Sequence, residues 1–468
     1  MVFSGLPFLL WFLPAVLLLY FLLRKTPLRN AVLCVFSLLF YAWGEPVYLL
    51  LMLMMIAVNY MAAVMMDGRF RERKGARRAL LIVSLVADLG SLAFFKYGDF
   101  VLINLESLFG LPLPRIGLAL PIGISFYTFQ IISYIADVYR GEIKAQKDPV
   151  KLTTYVCLFP QLVAGPIVRY QTIAEELDNR RETLPLFTEG LHRFIIGLGK
   201  KVVLANNMAL IADTVFDTAG MNTGVIAWLG AAAYMLQIYF DFSGYSDMAI
   251  GMGKMFGFRF LENFNYPYIA SSVTDFWRRW HISLSTWFRD YVYIPLGGNR
   301  VSPWRNRVNL FIVWMLTGLW HGAEWTFVLW GLYYFVLLSI EKSAAGKRVL
   351  DKVPKVLRHI LTLLLVLLGW VIFRAPTAAQ AFGFIGGMFT PSGTSPLLVL
   401  NEHRDLLFPL FLLLPAGIAA TPLCAKLCGR IPEKVKEPLR TAFDVLLYFA
   451  CIALLLNASY NPFIYFRF

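Results

Sequence analysis

The chain has 468 residues, of which 58% are hydrophobic and only 15% are charged. Soluble domains carry about 25% charged residues, so this composition excludes a cytosolic enzyme, a disordered chain and a secreted disulfide-rich scaffold. Apolar stretches of about 20 residues recur along the sequence, which predicts an all-α, polytopic membrane protein. A membrane β-barrel is also excluded, because these stretches are continuous and do not alternate between apolar and polar residues.

The formal net charge of +14 comes mainly from short basic segments beside apolar runs. These segments lie within residues 67–78, 341–358 and 426–440. Short basic loops lie on the cytoplasmic side of a membrane protein and can contact anionic membrane lipid, so nucleic acid is not expected as a partner. The first positive charges, Arg24 and Lys25, follow the apolar run Leu6–Leu23. This polarity is opposite to that of a cleavable signal peptide, so the run is predicted to be an uncleaved first span.

The regular apolar runs predict membrane-spanning helices near both ends of the chain. In chain order, they are Leu6–Leu23, Asn30–Trp43, Val47–Met66, Ala79–Phe95, His359–Phe373, Leu406–Ala420 and Phe443–Leu456. With the basic segments inside the cell, the alternation of these helices predicts that both chain termini lie outside the cytoplasm.

The middle of the chain, from about residue 97 to residue 340, is less regular, because Gly, Pro and polar aromatic residues interrupt its apolar runs. Pro121–Phe126 and Phe159–Pro166 are two such interruptions. Backbone that leaves the helix at membrane depth needs protein or water to satisfy its polar groups. These segments are therefore either re-entrant pieces that line a cavity or ordinary helix ends near the interface.

The sequence predicts one membrane domain over residues 1–468, since neither an internal repeat nor a low-complexity tract divides it. The expected core covers about residues 97–375. Helices in 1–96 precede this core, and helices in 376–468 follow it.

The five cysteines do not predict a metal site or a disulfide framework. Most of them lie in apolar stretches, as small core residues do. Cys424 and Cys428 are four residues apart, but no second pair of Cys or His accompanies them to complete a zinc site. No metal is expected.

Histidine is scarce, and its five positions fall into two groups. His192, His359 and His403 lie in or beside polar segments and are predicted to be interfacial. His281 and His321 lie in more apolar surroundings, where an ionisable side chain is by default a candidate functional group.

The apolar stretch Val308–Ile340 must contain a break near His321. A continuous helix over this stretch would be about 50 Å long, against a hydrocarbon core of about 30 Å. Gly318 and Gly322 are the natural places for the interruption, which puts His321 at depth beside it. His321 is then either a functional residue or a neutral, hydrogen-bonded structural histidine.

The segment Asp275–Gly298 is predicted to be amphipathic and helical, with one aromatic face. At helical spacing that face contains Trp277, Trp280, His281, Leu284, Trp287, Phe288 and Tyr291. The flank carries Arg278, Arg279, Arg289 and Asp290. Such a helix lies at the membrane interface or lines a wet cavity. Its arginines either neutralise phosphates of a nucleotide-type donor or anchor lipid headgroups.

Asp241 and Asp247 form a further polar cluster among aromatic residues, after the apolar run Val225–Ile238. Two roles are compatible with this pattern. The carboxylates could orient a histidine from a second cavity wall, or they could cap a helix whose body begins near Met248.

The chemistry available to this sequence is that of histidine in a cavity of low dielectric constant. A catalytic serine motif, a P-loop and a dinucleotide fingerprint are absent from the sequence. A neutral histidine can take a proton from a hydroxyl group while that oxygen attacks an activated acyl group. Acyl transfer also requires donors that stabilise the developing oxyanion, and sequence spacing does not reveal them.

Four motifs carry a family resemblance. They are Trp280–Ser285 (WHISLS), Trp287–Tyr291 (WFRDY), Ile294–Gly298 (IPLGG) and Leu316–Ala323 (LTGLWHGA). Together they resemble the membrane-bound O-acyltransferases, and most closely the bacterial branch with the membrane proteins of alginate and peptidoglycan O-acetylation. The resemblance implies a ring of about 10–12 transmembrane helices with re-entrant segments around a thin central partition.

The resemblance also implies roles for individual residues. His321 matches the catalytic histidine of the family, and His281 matches a second polar position that is often asparagine elsewhere and is also needed for transfer. The candidate substrate-binding residues are Trp280, Arg278, Arg279, Arg289, Asp290, Trp320, Asp241 and Asp247. The family carries over no role for Asp241 and Asp247.

The implied activity is an O-acetyltransferase of the bacterial inner membrane, with no bound cofactor. Acetyl-CoA in the cytosol is the expected acyl donor. The acetyl group would cross the protein to a partner acetyltransferase outside the cytoplasm, which uses its own serine to acetylate an exported polysaccharide of the alginate or peptidoglycan type. A transporter or flippase of a polysaccharide intermediate, a non-enzymatic scaffold, and an acyltransferase for lipid or protein acceptors are the alternatives.

Overall fold

The computed structural model describes residues 1–391, 395, 399, 401–457 and 463–464. Within these residues all regular secondary structure is helical, which confirms the predicted all-α class. The helices up to residue 255 are α1 (Leu13–Leu23), α2 (Arg29–Ala42), α3 (Tyr48–Asp67), α4 (Lys74–Phe109), α5 (Ile124–Arg140), α6 (Pro149–Cys157), α7 (Phe159–Leu162), α8 (Tyr170–Asn179), α9 (Leu184–Gly199), α10 (Asn206–Asp217) and α11 (Gly224–Met255). Those that follow are α12 (Val273–Arg279), α13 (Ile282–Phe288), α14 (Pro303–His321), α15 (Trp325–Lys342), α16 (Ala344–Lys352), α17 (Lys355–Arg374), α18 (Ala378–Met388), α19 (Leu407–Ala419), α20 (Leu423–Cys428) and α21 (Glu433–Asn457).

Short irregular helical turns complete the secondary structure of the described ranges. Three are π-helical and two are 3₁₀-helical. The π-helical turns are Phe8–Phe12, Lys200–Ala205 and Arg289–Tyr293, and the 3₁₀ turns are Pro267–Ile269 and Arg404–Leu406. A π-helical turn shifts the register of the side chains that follow it, and such turns often occur at functional sites.

Six helical segments of the described chain are long and apolar enough to cross a membrane. They are Tyr48–Asp67, Lys74–Phe109, Leu184–Asp217, Gly224–Met255, Lys355–Arg374 and Lys434–Asn457. A seventh is counted if α15 and α16, which are bent by 76° at their junction, form one span. The chain is therefore a multi-pass membrane protein, as predicted. The count is lower than the ten to twelve spans expected, because apolar helices such as Phe8–Leu23 and Arg29–Ala42 are short.

The observed bounds of the helices agree best with the predicted bounds where an apolar run ends in charged residues. Val47–Met66 was predicted and α3 is Tyr48–Asp67; His359–Phe373 was predicted and α17 is Lys355–Arg374. In contrast, α4 continues past the predicted end at Phe95. Apolarity predicts where a helix lies in the bilayer, whereas the helix itself continues through polar residues that extend beyond the hydrocarbon core.

The chain divides into two compact units. The first consists of Met1–Phe194 with Met248–Leu261, and the second consists of Ile195–Asp247 with Glu262–Phe468. The single functional domain expected from the sequence stays a prediction. All candidate site residues belong to the second unit.

In the first unit, the two predicted interruptions pack against each other. Gly123 precedes α5 with φ 76°, and a Cβ at this position would lie 2.8 Å from the carbonyl oxygen of Leu162. Only glycine combines this left-handed conformation with so close a backbone approach. Residues 158–168, which include Phe159–Pro166, are buried within the protein.

Protein groups satisfy the backbone of this buried interruption. The hydroxyl of Ser37 accepts the N–H of Phe159 at 3.0 Å. The hydroxyl of Tyr155 lies 3.2 Å from the carbonyl oxygen of Gln130 and 3.1 Å from that of Val168. Backbone outside a helix is tolerated at membrane depth when the protein itself supplies such partners.

In the second unit, α14 and α15 form a close pair that carries His321. A Cβ at Gly318 would collide with the backbone of Phe327 on α15. Small residues at a helix–helix contact allow the backbones to approach closely in a membrane protein. Gly318 therefore fixes the end of α14 against the start of α15.

Candidate active site

The helix break predicted near His321 is confirmed. α14 ends at His321, Gly322 is extended with φ −165° and ψ 161°, and α15 begins at Trp325. The His321 side chain is only 5% exposed. Its Nδ1 lies 2.8 Å from the carbonyl oxygen of Thr317, one helical turn earlier. A carbonyl oxygen can only accept, so this bond places the proton on Nδ1 and leaves the lone pair of the neutral ring on Nε2.

Three aromatic rings hold the imidazole of His321. The ring centroids of Trp320 and Trp330 lie 5.0 Å from it, and the centroid of Phe373 lies 5.4 Å away. These rings come from α14, α15 and α17. The packing leaves His321 little rotational freedom, so its orientation is set by three helices at once.

The region around His281 corrects the prediction of one continuous helix over Asp275–Gly298. α12 ends at Arg279 and α13 begins at Ile282, while His281 between them adopts φ 45° and ψ 54°. These angles lie in the left-handed region of backbone conformation, which residues other than glycine rarely adopt. The members of the predicted face are therefore divided among α12, the break, α13 and the π-helical turn Arg289–Tyr293. Trp277, His281, Leu284 and Phe288 nevertheless line one cavity.

Asn263 explains why the helix breaks there. Its backbone carbonyl accepts the N–H of Ile282 at 3.0 Å, and its Oδ1 accepts the N–H of Ser283 at 3.2 Å. In a continuous helix, carbonyls of α12 would bind these two N–H groups. The carbonyl of Arg279 instead accepts the N–H of Asn265 at 2.9 Å.

The imidazole of His281 is buried at this break. Its Nδ1 lies 3.2 Å from Oδ1 of Asn263, and only 1% of the residue is exposed. The ring of Phe242 packs perpendicular to it at 4.7 Å, and the ring of Trp320 lies 5.8 Å away. Trp320 therefore packs near both histidine rings.

The environment of His281 favours the neutral form of its ring. Burial lowers the pKa of His281 below its ordinary value of about 6.5, and the nearby His321 lowers this pKa further. His281 is therefore neutral at physiological pH and acts there as a hydrogen-bonding group.

A cavity of about 220 Å³ connects the two histidines with three cationic side chains. Its lining consists of Thr274, Trp277, Arg278, His281, Leu284, Ser285, Phe288, Arg289, Tyr293, Leu310, Val313, Trp314, Thr317, His321, Leu338 and Lys342. Arg278, Arg289 and Lys342 are exposed, whereas both histidines are buried. The cavity therefore runs from a cationic surface, between apolar walls, to the paired imidazoles.

The predicted flanking residues do not all contribute to this cavity. Arg278 and Arg289 line it. Arg279 forms an ion pair with Asp275 at 2.9 Å, and it is absent from the lining within the described part of the chain. Asp290 binds Arg289 through both carboxylate oxygens, at 2.6 and 3.0 Å.

Trp280 and Trp320 occupy different surroundings. The ring of Trp280 lies 4.7 Å from that of Trp370 and 5.0 Å from that of Phe264, inside an aromatic cluster. Trp320 packs against both histidines, as described above. The structure places Trp280 in the packing behind His281 and Trp320 beside both imidazoles.

Asp241 and Asp247 lie within α11, which corrects the idea that they cap a helix beginning near Met248. The Nζ of Lys201 is 2.5 Å from Asp241, and the Nζ of Lys200 is 2.6 Å from Asp247. Both lysines begin the π-helical turn Lys200–Ala205. These ion pairs join two membrane-spanning segments, and pairing of this kind is how charged side chains are accommodated in a membrane interior.

Several residues of the site escaped the sequence analysis. Asn263 and Lys342 carry no motif that marks them, and the role of Thr317 rests on its backbone carbonyl. Glu341 accepts the N–H groups of Val273 and Thr274 at 2.6 and 2.9 Å, and so anchors the start of α12. The segment before α12 also contains polar residues such as Glu262 and Asn265, so the sequence carries no signal that singles out Asn263.

Among the described residues, no group of three or more His, Cys, Asp or Glu side chains could hold a metal ion. The cavity is lined by the two imidazoles, three cationic side chains, hydroxyl groups, and apolar and aromatic side chains.

The fold and the cavity define a multi-pass membrane protein with a two-histidine site. Residues 142–348 match the family described as MBOAT, membrane-bound O-acyltransferase. The chain is 46% identical over 406 residues to "Probable alginate O-acetylase AlgI" of Pseudomonas aeruginosa, which covers 86% of this chain and 77% of that protein. It is 42% identical over 493 residues to the protein of the same name from Pseudomonas putida, with 100% of both chains covered.

A relative with a different name is also similar to this chain. The "Peptidoglycan O-acetyltransferase" of Helicobacter pylori is 37% identical over 433 residues, which cover 86% of this chain and 82% of that protein. The chain belongs to the membrane-bound O-acyltransferase family and is an acyltransferase. The resemblance found in the sequence is thus confirmed, and the transporter and scaffold alternatives are not needed.

Proposed function

We propose that this protein is a membrane O-acetyltransferase that supplies acetyl groups for an exported cell-surface polysaccharide. The names of its relatives support this polymer class, since they refer to alginate and peptidoglycan. The observation that carries the proposal is the position of His321, at the end of α14, in a cavity shared with His281 and three cations.

Acetyl-CoA is the proposed acyl donor. Phosphate groups bind well to arginine and lysine, and Arg278, Arg289 and Lys342 offer three positive charges at the exposed end of the cavity. Lys342 ends α15, next to the basic helix α16. Because short basic segments favour the cytoplasmic side, this end of the cavity is proposed to face the cytosol, where acetyl-CoA is available.

His321 is the proposed general base. Its Nε2 takes the proton of the acceptor hydroxyl while the hydroxyl oxygen attacks the thioester carbonyl. A carbon–oxygen bond forms, the carbon–sulfur bond breaks, and the leaving thiolate of CoA receives the proton from the imidazolium. His281 is proposed to position the reacting groups, since its buried ring stays neutral.

The acceptor hydroxyl is proposed to belong to a partner enzyme outside the cytoplasm. A serine of this partner would receive the acetyl group and pass it to the polysaccharide. In the same proposal, the protein lies in the bacterial inner membrane with both termini outside the cytoplasm. The positions of its basic segments support this orientation.

The test uses purified protein in lipid nanodiscs and acetyl-CoA labelled in the acetyl group. We expect release of free CoA and transfer of label to a serine-dependent partner or to the polysaccharide. Donors with longer acyl chains, offered in parallel, distinguish an acetyltransferase from a fatty acyltransferase. Faster transfer from a long-chain acyl-CoA than from acetyl-CoA would contradict the proposal.

A further inference from the structure

Asn263 makes a dense set of hydrogen bonds next to His281. The residue is fully buried. Its Oδ1 lies 3.2 Å from the backbone nitrogen of Ser283, 2.9 Å from Oγ of Ser283 and 3.2 Å from Nδ1 of His281. Its Nδ2 lies 3.2 Å from Oγ of Ser246. One amide thus connects the start of α13, the imidazole of His281 and α11.

These contacts determine the orientation of the amide and the tautomer of the histidine. The backbone N–H of Ser283 can only donate, so the atom that faces it must be the oxygen of Asn263. The same oxygen faces Nδ1 of His281. An amide oxygen can only accept, so Nδ1 carries a proton and the lone pair of the neutral ring lies on Nε2.

We infer that Asn263 is a positioning residue that holds His281 as the neutral Nδ1–H tautomer, with the lone pair of the ring on Nε2, for its role in acyl transfer. The role in transfer rests on the proposed function, whereas the tautomer does not. Asn263 acts in two ways. Its side chain fixes the proton on the ring, and its backbone carbonyl binds the N–H of Ile282 and so maintains the left-handed turn that aims the ring.

The use of an amide at this position has a consequence for charge. A carboxylate beside Nδ1 would stabilise the imidazolium, whereas a neutral amide does not. The other ionisable groups that line the cavity are His321, Arg278, Arg289, Lys342 and Tyr293. The cationic members of this set disfavour a positive charge on His281, so His281 accepts a hydrogen bond without becoming a second base.

The first experiment replaces the acceptor oxygen and measures transfer. Asn263→Leu removes the acceptor, and we expect kcat to fall by up to about tenfold, because a residue that acts through one hydrogen bond to His281 should not cost more than the loss of the hydrogen bond that His281 itself contributes. The KM for acetyl-CoA should change little, because the cationic end of the cavity is intact. Asn309→Leu is the matched control, since Asn309 is equally buried and its Nδ2 donates to the carbonyl of Leu296 at 3.1 Å.

Asn263→Asp tests the effect of charge in a variant that keeps the acceptor. The added carboxylate should raise the pKa of His281, so the acidic limb of the pH–rate profile should move to higher pH. A merely structural role for Asn263 would leave the shape of this profile unchanged. An unchanged profile in Asn263→Asp, or an equal loss of kcat in Asn309→Leu, would overturn the inference.

The second experiment reads the tautomer directly and does not depend on activity. Nitrogen-15 NMR of the full-length protein labelled at histidine distinguishes a protonated ring nitrogen from one with a lone pair, and His281→Asn assigns the signals. We expect a protonated Nδ1 and an unprotonated Nε2 in the wild type, and a mixture of tautomers in Asn263→Leu. A protonated Nε2 in the wild type would disprove the inference even if acetyl-CoA is the donor. Conversely, if the protein gives the expected NMR signals but does not turn over acetyl-CoA, the inferred tautomer stands and only the proposed function is wrong.

Discussion

The two histidines of the cavity both lie at helix breaks, but these breaks have different causes. At His321, α14 stops before Gly322 and the chain continues into α15 after a short extended segment. Residues 275–289 around His281 contain no glycine or proline, and the break depends on hydrogen bonds that the N–H groups of Ile282 and Ser283 donate to Asn263, a residue 18 positions before His281. The first break is therefore a local property of the sequence, whereas the second is imposed by tertiary structure.

The two breaks nevertheless give the imidazoles the same chemical form. In each ring Nδ1 faces an oxygen that can only accept, which is the carbonyl of Thr317 for His321 and the side chain of Asn263 for His281. Both neutral rings therefore carry their lone pair on Nε2. The backbone carbonyl of Thr317, which faces His321, cannot be removed by substitution, whereas the side-chain amide of Asn263, which faces His281, can be removed. Variants can thus separate the two histidines experimentally.

The largest effect is expected from His321→Ala. Loss of a general base lowers the rate of transfer by about 10²- to 10⁴-fold, measured as label transferred from acetyl-CoA per unit of folded protein. His359→Ala is the matched control, because His359 bonds the carbonyl of Ala270 and lies outside the cavity lining. Near wild-type transfer by His321→Ala would mean that the base is elsewhere.

A smaller loss is expected from His281→Asn. If His281 contributes one neutral hydrogen bond, its replacement by another hydrogen-bonding side chain should cost at most about tenfold in kcat. His281→Ala should be worse than His281→Asn in the same assay. A loss as large as that of His321→Ala in both variants would show that the two imidazoles act as equal partners in proton transfer.

The stability of the His281 region should depend on Glu341, which binds two N–H groups at the start of α12. Glu341→Gln removes the negative charge at this helix terminus and should lower the free energy of unfolding by about 0.5–2 kcal/mol. Thermal unfolding in nanodiscs measures this loss. Glu437→Gln is the control, because Glu437 pairs with Arg440 in an exposed position and such pairs are worth little. Equal effects of both substitutions would contradict the anchoring role.

The sequence was sufficient to predict the helical membrane fold and one of the two histidine breaks. The limited thickness of the bilayer required an interruption within Val308–Ile340, and the structure has it at Gly322. The break at His281 could not be predicted, since helical periodicity considers only neighbours within a few residues. The same limitation applies to Asp241 and Asp247, whose lysine partners are in a different helical segment. Long-range hydrogen bonds and ion pairs decide these positions.

The smallest expected effect is a dependence of stability on pH that distinguishes His281 from an exposed histidine. Burial and the nearby His321 lower the pKa of His281 in the folded protein, whereas in the unfolded chain it is about 6.5. Below this pH the unfolded chain binds a proton that the folded protein does not bind. The contribution of neutral His281 to the free energy of unfolding is therefore complete above about pH 6.5. Below that pH the free energy of unfolding falls by at most about 1.4 kcal/mol per pH unit for one proton.

Thermal unfolding between pH 5 and pH 8, compared between the wild type and His281→Asn, measures this dependence. The wild type should lose stability below pH 6.5 more steeply than the variant, because asparagine does not titrate. His359→Ala keeps His281 and should retain the steep dependence. Parallel curves for the wild type and His281→Asn would mean that His281 takes up a proton equally well in the folded and unfolded states. The helix break at His281 would then not keep its imidazole neutral.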